Sequence, residues 1–212
     1  MVEIVYSIYQ QPKVGYSVSG DAYLVQENGA GLLVCLADGL GSGPAAAEAA
    51  QTAVDWVSVH SKSPLSQLMQ GCHEAIRHTR GAALALLRLD TAARELTFAG
   101  VGNVEFHAWS AEPMRPISYP GIVGSRLPSV REFRFSLSPG DLVMLHTDGV
   151  SRRFATAGLV ERNVGASPQH LVDTISDQYA KRNDDATLIV LSFSSNSDHS
   201  EIEVSHDKDS NS

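Results

Sequence analysis

Leu32-Leu33-Val34-Cys35-Leu36-Ala37-Asp38-Gly39-Leu40-Gly41-Ser42-Gly43-Pro44 is the stretch on which the fold turns. A short unbroken apolar run closed by turn residues reads as a buried strand, Leu32 to Ala37, ending at Asp38. Gly39 to Gly43 is a glycine-rich turn, and Pro44 suits the first position of a helix that the pattern carries to about Val59. Upstream, Val2 to Tyr9 and Tyr23 to Glu27 read as strands. Downstream, the Ser61-Lys62-Ser63-Pro64 break precedes a second helix from Leu65 to about His78. A dense strand region follows: Ala82 to Leu89, Glu95 to Val101, Val104 to Trp109, Arg131 to Leu137 and Leu142 to Thr147, interrupted by a Pro/Gly loop from Glu112 to Pro128. Pro168 to Tyr179 reads as a helix and Ala186 to Phe193 as the last strand. Strands gather around a central pair of consecutive helices and do not alternate with them. The expected class is therefore α+β, two antiparallel sheets with helices outside, not a doubly wound parallel sheet.

The chain has 212 residues, 43% of them hydrophobic and 19% charged, which is the composition of a globular protein of about one domain. The longest apolar run, Ala30 to Ala37, falls far short of the roughly 18 residues that a membrane span needs, and Met1 to Gln10 has no signal-peptide pattern. A soluble cytoplasmic protein with no membrane partner is the expectation. Cys35 and Cys72 are too few for a disulfide framework and read as buried thiols. The net charge of −8 argues against a nucleic-acid surface. About half of it lies in Ser195 to Ser212, where Asp198, Glu201, Glu203, Asp207 and Asp209 face Lys208 alone. That stretch cannot bury enough apolar area to offset chain entropy, so residues 1–194 are expected to form the domain and 195–212 a disordered acidic tail.

Acidic residues punctuate the strand ends: Asp21 after Ser19-Gly20, Asp38 before Gly39, Asp148 before Gly149, and the pair Asp184-Asp185 before Ala186. Singly, each is an ordinary turn residue. Jointly they place carboxylates where a sheet interior meets solvent, and carboxylates converging on one cleft raise each other's pKa unless a cation neutralises them. All-oxygen ligation of this kind suits Mg²⁺ or Mn²⁺ better than zinc or copper.

Gly20-Asp21, Ala37-Asp38-Gly39-Leu40-Gly41-Ser42-Gly43, Val101-Gly102-Asn103, His146-Thr147-Asp148-Gly149-Val150 and Asp184-Asp185-Ala186-Thr187, in that order, resemble the metal-dependent type 2C protein serine/threonine phosphatases. The resemblance is narrower to the compact SpoIIE-type branch, and within it to phosphoserine phosphatases of the stress-response sigma-factor pathway. It implies a four-layer αββα sandwich with a binuclear metal site at the strand ends. Asp38 would bridge two Mn²⁺ or Mg²⁺ ions and the Gly39 carbonyl would bind one of them. Asp21 would hold the metal on that side, directly or through water, and Asp148 and Asp184 the other, with Asp185 and Asn103 behind them. Two such ions, about 3.5 to 4 Å apart, bring a bridging water near neutrality in pKa and aim it at phosphorus, so no side-chain nucleophile is needed. In that branch the substrates are STAS-domain regulators phosphorylated on Ser or Thr, which makes such a protein the expected partner.

Leu40 stands where many relatives have a histidine proposed as general acid, which leaves the proton donor to the leaving group open. His146, two residues before Asp148 and so on the same strand face, reads as a packing residue or as a proton shuttle. His60, His73, His78, His107 and His170 lack ligand spacing and read as surface or packing residues. Trp56, Val57 and Val59 read as core. Gly41-Ser42-Gly43-Pro44-Ala45-Ala46 has the outline of a dinucleotide fingerprint, but Asp38 would set a carboxylate beside the pyrophosphate and no acid-ended strand follows the helix. No Walker lysine and no G-x-S-x-G elbow is present. The alternative of another class is a non-catalytic module of the same fold that binds a regulator and hydrolyses nothing.

Overall fold

The computed structural model describes residues 2–27, 29 and 31–195. The expected disordered tail lies outside these residues, apart from Ser195, whose backbone ends the last strand. The first sheet has the order β1 (Val2–Gln11), β10 (Ala186–Ser195), β9 (Leu142–His146), β6 (Glu105–Trp109), every pairing antiparallel. In the second, β2 (Asp21–Glu27), β3 (Gly31–Gly39), β4 (Ala82–Asp90) and β5 (Glu95–Val101) pair antiparallel in succession. Two short strands complete it beside β5, β8 (Phe133–Ser136) antiparallel and β7 (Ser118–Tyr119) parallel. Both sheets are antiparallel as expected, apart from the two-residue parallel pairing of β7 with β5. The two-residue β7 lies inside the Glu112 to Pro128 loop and is too short to show any side-chain period.

The unbroken apolar run has a simple physical reason: its strand is buried on both faces, as such runs are in sheets covered from both sides. Leu33, Cys35 and Ala37 pack against α1 (Pro44–Val59) and α2 (Leu65–Ala75). Leu32, Val34 and Leu36 pack against Val143, Leu145, Ile189 and Leu191 of the other sheet. On the far side Met144, Leu188 and Val190 meet Phe154 of α3 (Arg153–Thr156), Leu159 of α4 (Leu159–Arg162) and Leu171 and Ile175 of α5 (Pro168–Tyr179). Helices, sheet, sheet and helices make the four-layer αββα sandwich. Cys35 and Cys72 are free and buried.

Pro44 opens α1 behind Gly43, whose φ of +73° needs glycine. The buried stripe of α1, Ala46, Ala49, Ala50, Ala53, Val54 and Val57, has helical spacing, and its alanines let the helix lie close on β3. A side chain at Gly39 would come within 2.0 Å of the Ala46 carbonyl oxygen. Of the three residues expected in the core, Val57 is buried, Trp56 is half-buried and stacks on His60, and Val59 is 78% exposed. Two helical residues apart is about 200° around the axis, so Val57 and Val59 cannot share a face. Helix α2 stops at Ala75, short of His78.

Candidate active site

The register brings the acidic residues to one end of the sandwich. Asp21 opens β2 directly opposite Asp38 near the close of β3. Asp148 follows β9 and Asp184 precedes β10, which pairs with it. Asp38, Asp148 and Asp184, with Asn103, Leu40 and Gly41, line a single cavity of about 190 Å³. Asn103 donates to Asp148 Oδ2 at 2.7 Å. Among the described residues no three acidic, histidine or cysteine side chains close on one point as a finished metal cage.

Asp21 and Asp185 are buried and do not line this cavity. Asp21 is buried, and its Oδ2 accepts from the hydroxyls of both Thr147 and Thr187 at 2.8 Å. Thr187 N–H donates in turn to Thr147 Oγ1 at 3.0 Å. One carboxylate of the second sheet is thereby tied to two strands of the first. Asp185 accepts from the Lys13 N–H through Oδ1 at 2.9 Å, while its buried Oδ2 has no partner. The surrounding backbone is packed closely: a Cβ at Gly149 would meet the Asp185 carbonyl oxygen at 1.8 Å, and one at Gly20 would meet Asp185 Oδ2 at 2.7 Å.

Burial, opposed by the two threonine hydroxyls, pushes the Asp21 carboxyl up to about 7. Burial and the neighbouring carboxylates, Asp21 first, push Asp38 up to about 8. Asp184 is raised by burial and by Asp148. No Lys or Arg offsets these groups through an ion pair: among the described residues the ion pairs are Arg77–Glu74 and Arg134–Glu95, both elsewhere. Crowded oxygen donors, one of them orphaned at Asp185 and none held in an ion pair among the described residues, are the chemistry that divalent magnesium or manganese satisfies.

His146 lies apart from this cluster. It is 1% exposed, its Nδ1 lies 2.8 Å from the Thr147 carbonyl, and its Nε2 has no partner. Its ring stacks on His107 with centroids 5.2 Å apart and meets Phe154 edge-on. Burial pulls its pKa down to about 4, so the ring is neutral at physiological pH, with the Nδ1 hydrogen donated to the carbonyl. Strand β9 ends at His146, so the alternation that would put His146 and Asp148 on one face does not continue to Asp148.

Residues 28–194 match the family described as Stage II sporulation protein E (SpoIIE). The chain belongs to the SpoIIE family. It is 27% identical over 185 residues to the phosphoserine phosphatase RsbX of Bacillus subtilis (strain 168), covering 86% of this chain and 92% of that one. A crystal structure of RsbX in complex with magnesium superposes with a TM-score of 0.82 at 26% identity, over 92% of this chain and 99% of that one. A chain from a structure of the bacterial stressosome, described as a modular system adapted to control secondary messenger signaling, gives 0.83 at 32% identity, over 89% and 99%. The catalytic domain of the serine/threonine phosphatase PstP, solved with two manganese ions, shares the fold at 0.72 and 14% identity, over 92% and 100%. This SpoIIE-family chain therefore has a type 2C phosphatase fold, and structures of that fold have been solved with magnesium or manganese.

Sequence reasoning missed the threonines that hold Asp21 and the cations around the cleft. Thr147 adjoins Asp148 and Thr187 lies two residues after Asp185, but nothing in one chain's sequence says that the end of β9 and the start of β10 meet Asp21. Arg80, whose Nη1 would lie 2.8 Å from a Cβ at Gly41, and Lys181, whose Nζ donates to the Asp148 carbonyl, reach the cleft rim from loops. No helix of the described residues is long and apolar enough to cross a membrane.

Proposed function

We propose that this protein is a cytoplasmic Mn²⁺- or Mg²⁺-dependent protein phosphoserine/phosphothreonine phosphatase whose substrate is a phosphorylated STAS-domain stress-response regulator. The observation that carries the reading is the shared cavity of Asp38, Asp148 and Asp184, crowded acids with no ion-pairing cation among the described residues. Asp38 and the Gly39 carbonyl would hold metal on one side with Asp21, and Asp148 and Asp184 on the other. When bound, two such cations supply charge neutralisation, polarisation of the phosphoryl oxygens and a water acidic enough to attack phosphorus.

The chain's own residues position the rest. Asn103 holds the Asp148 carboxylate in one orientation, and Thr147 and Thr187 hold Asp21 between the sheets. Leu40 lines the cavity and has no proton to give. Asp185 accepts from the Lys13 N–H and so fixes that backbone. RsbX and the stressosome neighbour support a regulatory phosphoprotein as substrate.

The test is hydrolysis of a phosphorylated STAS-domain protein, of a phosphopeptide spanning the same residue and of an aryl phosphate, with Mn²⁺ and with EDTA. Metal-dependent turnover, with higher kcat/KM for the folded protein than for the peptide, is expected. Equal kcat/KM for both would leave a general phosphatase. Regulator binding without Mn²⁺ binding in calorimetry would make the chain a non-catalytic module.

A further inference from the structure

Beside the acidic cavity, and sharing Asp148 with it, is a second pocket of about 320 Å³ with the opposite character. Its walls include Arg152, Arg153 and Lys181, with Glu105 the only acid besides Asp148. In a chain of net charge −8, three cations at one opening beside the cleft stand out. Arg152 and Arg153 are exposed, and among the described residues neither guanidinium has an ion pair or a hydrogen bond. Lys181 is fixed between the two cavities through the Asp148 carbonyl.

The pocket is built on pinned backbone. Ser151 N–H donates to the Tyr179 carbonyl at 2.9 Å and Lys181 N–H to the Gly149 carbonyl at 2.8 Å, so the segment after Asp148 is bound to the end of α5. Phe154, fully buried against His107, His146 and Tyr179, anchors the turn that carries both arginines. Two guanidiniums carried on pinned backbone share one opening, and their planar forks match a carboxylate.

We propose that Arg152 and Arg153, with Lys181, form an anion-binding subsite that receives an acidic side chain of the phosphoprotein, one or two residues from the phosphorylated one. The inference rests on the phosphatase reading only for where the phosphorylated residue sits. Because the two pockets share Asp148, a side chain close in sequence to the phosphorylated residue is the one that reaches the subsite. The subsite selects substrates by charge next to the reacting residue, although the molecule as a whole repels acidic ligands.

The experiment compares two fluorescent phosphoserine peptides, one with Asp and one with Asn at the flanking positions, on wild type and on the double variant Arg152→Gln/Arg153→Gln. Both kcat/KM with Mn²⁺ and dissociation constants by anisotropy are measured, at 50 mM and 500 mM NaCl. Wild type is expected to favour the Asp peptide about fivefold at low salt by either measure, as two partly exposed ion pairs allow. The ratio should fall toward one at high salt and in the double variant. Equal binding of the two peptides by wild type, undetectable binding of both, or an unchanged ratio in the variant overturns the subsite. A binding preference that is lost in the variant, without hydrolysis of either peptide, would uphold the subsite and overturn the phosphatase reading.

Discussion

The two ends of β9 make an instructive pair. At its start, Leu142 opens onto a cavity of about 540 Å³ lined by Trp109, Val160, Leu171 and Phe193. Just past its end, Asp148 opens onto one of about 190 Å³ lined by three carboxylates. The larger space is walled by residues that seal α4 and α5 onto the first sheet, and its two acids are each taken up by a donor, Asp141 by the Ser138 N–H and Glu161 by Trp109 Nε1. The smaller one concentrates like charges that folding alone would disperse. Volume marks where packing is loose, whereas uncompensated charge marks where a ligand is required.

The largest effect is expected from Asp38→Asn, because Asp38 is the side chain expected to touch both ions. Turnover of a phosphoserine substrate should fall at least a hundredfold, about 2.7 kcal/mol in barrier terms. Melting of the metal-free variant should be no lower than that of wild type, since a carboxylate strained by its neighbours has been neutralised. Retention of more than a tenth of the activity would move the chemistry away from this end of β9.

The acidic end should also respond to pH in a way that the distal end does not. Asp21 and Asp38 have carboxyls raised to about 7 and about 8, against an ordinary value near 4. Groups raised on folding contribute stability that is full below their unfolded pKa and is lost as pH rises through the folded value. The melting temperature in EDTA is therefore expected to fall from about pH 4 to about pH 8 and to level off above that. A divalent cation replaces the protons, so the gain on adding Mn²⁺ should widen over the same window, with affinity rising up to about tenfold per pH unit for each proton displaced. A Mn²⁺ gain that stays flat with pH would mean that these carboxylates are not the ligands.

A smaller effect is expected at His146, which adjoins the acidic end in sequence but packs away from it. Its neutral, buried ring is stacked on His107 and Phe154. His146→Gln should slow phosphoserine and aryl phosphate hydrolysis by the same factor, a few-fold, and lower the melting temperature. Selective slowing of phosphoserine, whose leaving group needs a proton, would make His146 a proton shuttle.

The contrast between the ends also explains what was legible in the sequence. Strand β3 and helix α1 were readable because burial on both faces leaves an unbroken apolar run, and Gly43-Pro44 marks the helix start. Asp38, Asp148 and Asp184 could be placed because strand ends and turn glycines flank them. Depth was not legible: Asp21 looks like its fellows in sequence, yet it is buried away from the cavity lining, held by the Thr147 and Thr187 hydroxyls. Helices α3 and α4, four residues each, are shorter than the period that reveals a helix, so the pattern places no element in the segment carrying Arg152 and Arg153.

Leu171→Ala is the control at the opposite end, where the smallest effect on turnover is expected. Leu171 is 2% exposed on α5 and lines the large cavity. Truncating it removes apolar contact and enlarges a space that the surrounding helices cannot close, at a cost of about 2 to 3 kcal/mol, the low end for such changes because one side is already open. A domain with about 5 to 15 kcal/mol of stability survives that loss. Melting temperature should therefore drop while kcat and KM, corrected for the folded fraction, stay within about twofold of wild type. Helix α5 ends at Tyr179, two residues before Lys181, so a change in kcat would have a route through the Tyr179 carbonyl and the Ser151 amide to the turn after Asp148. Were that route to carry it, the two ends of β9 would be one coupled unit, and the separation of packing from chemistry drawn from their cavities would fail.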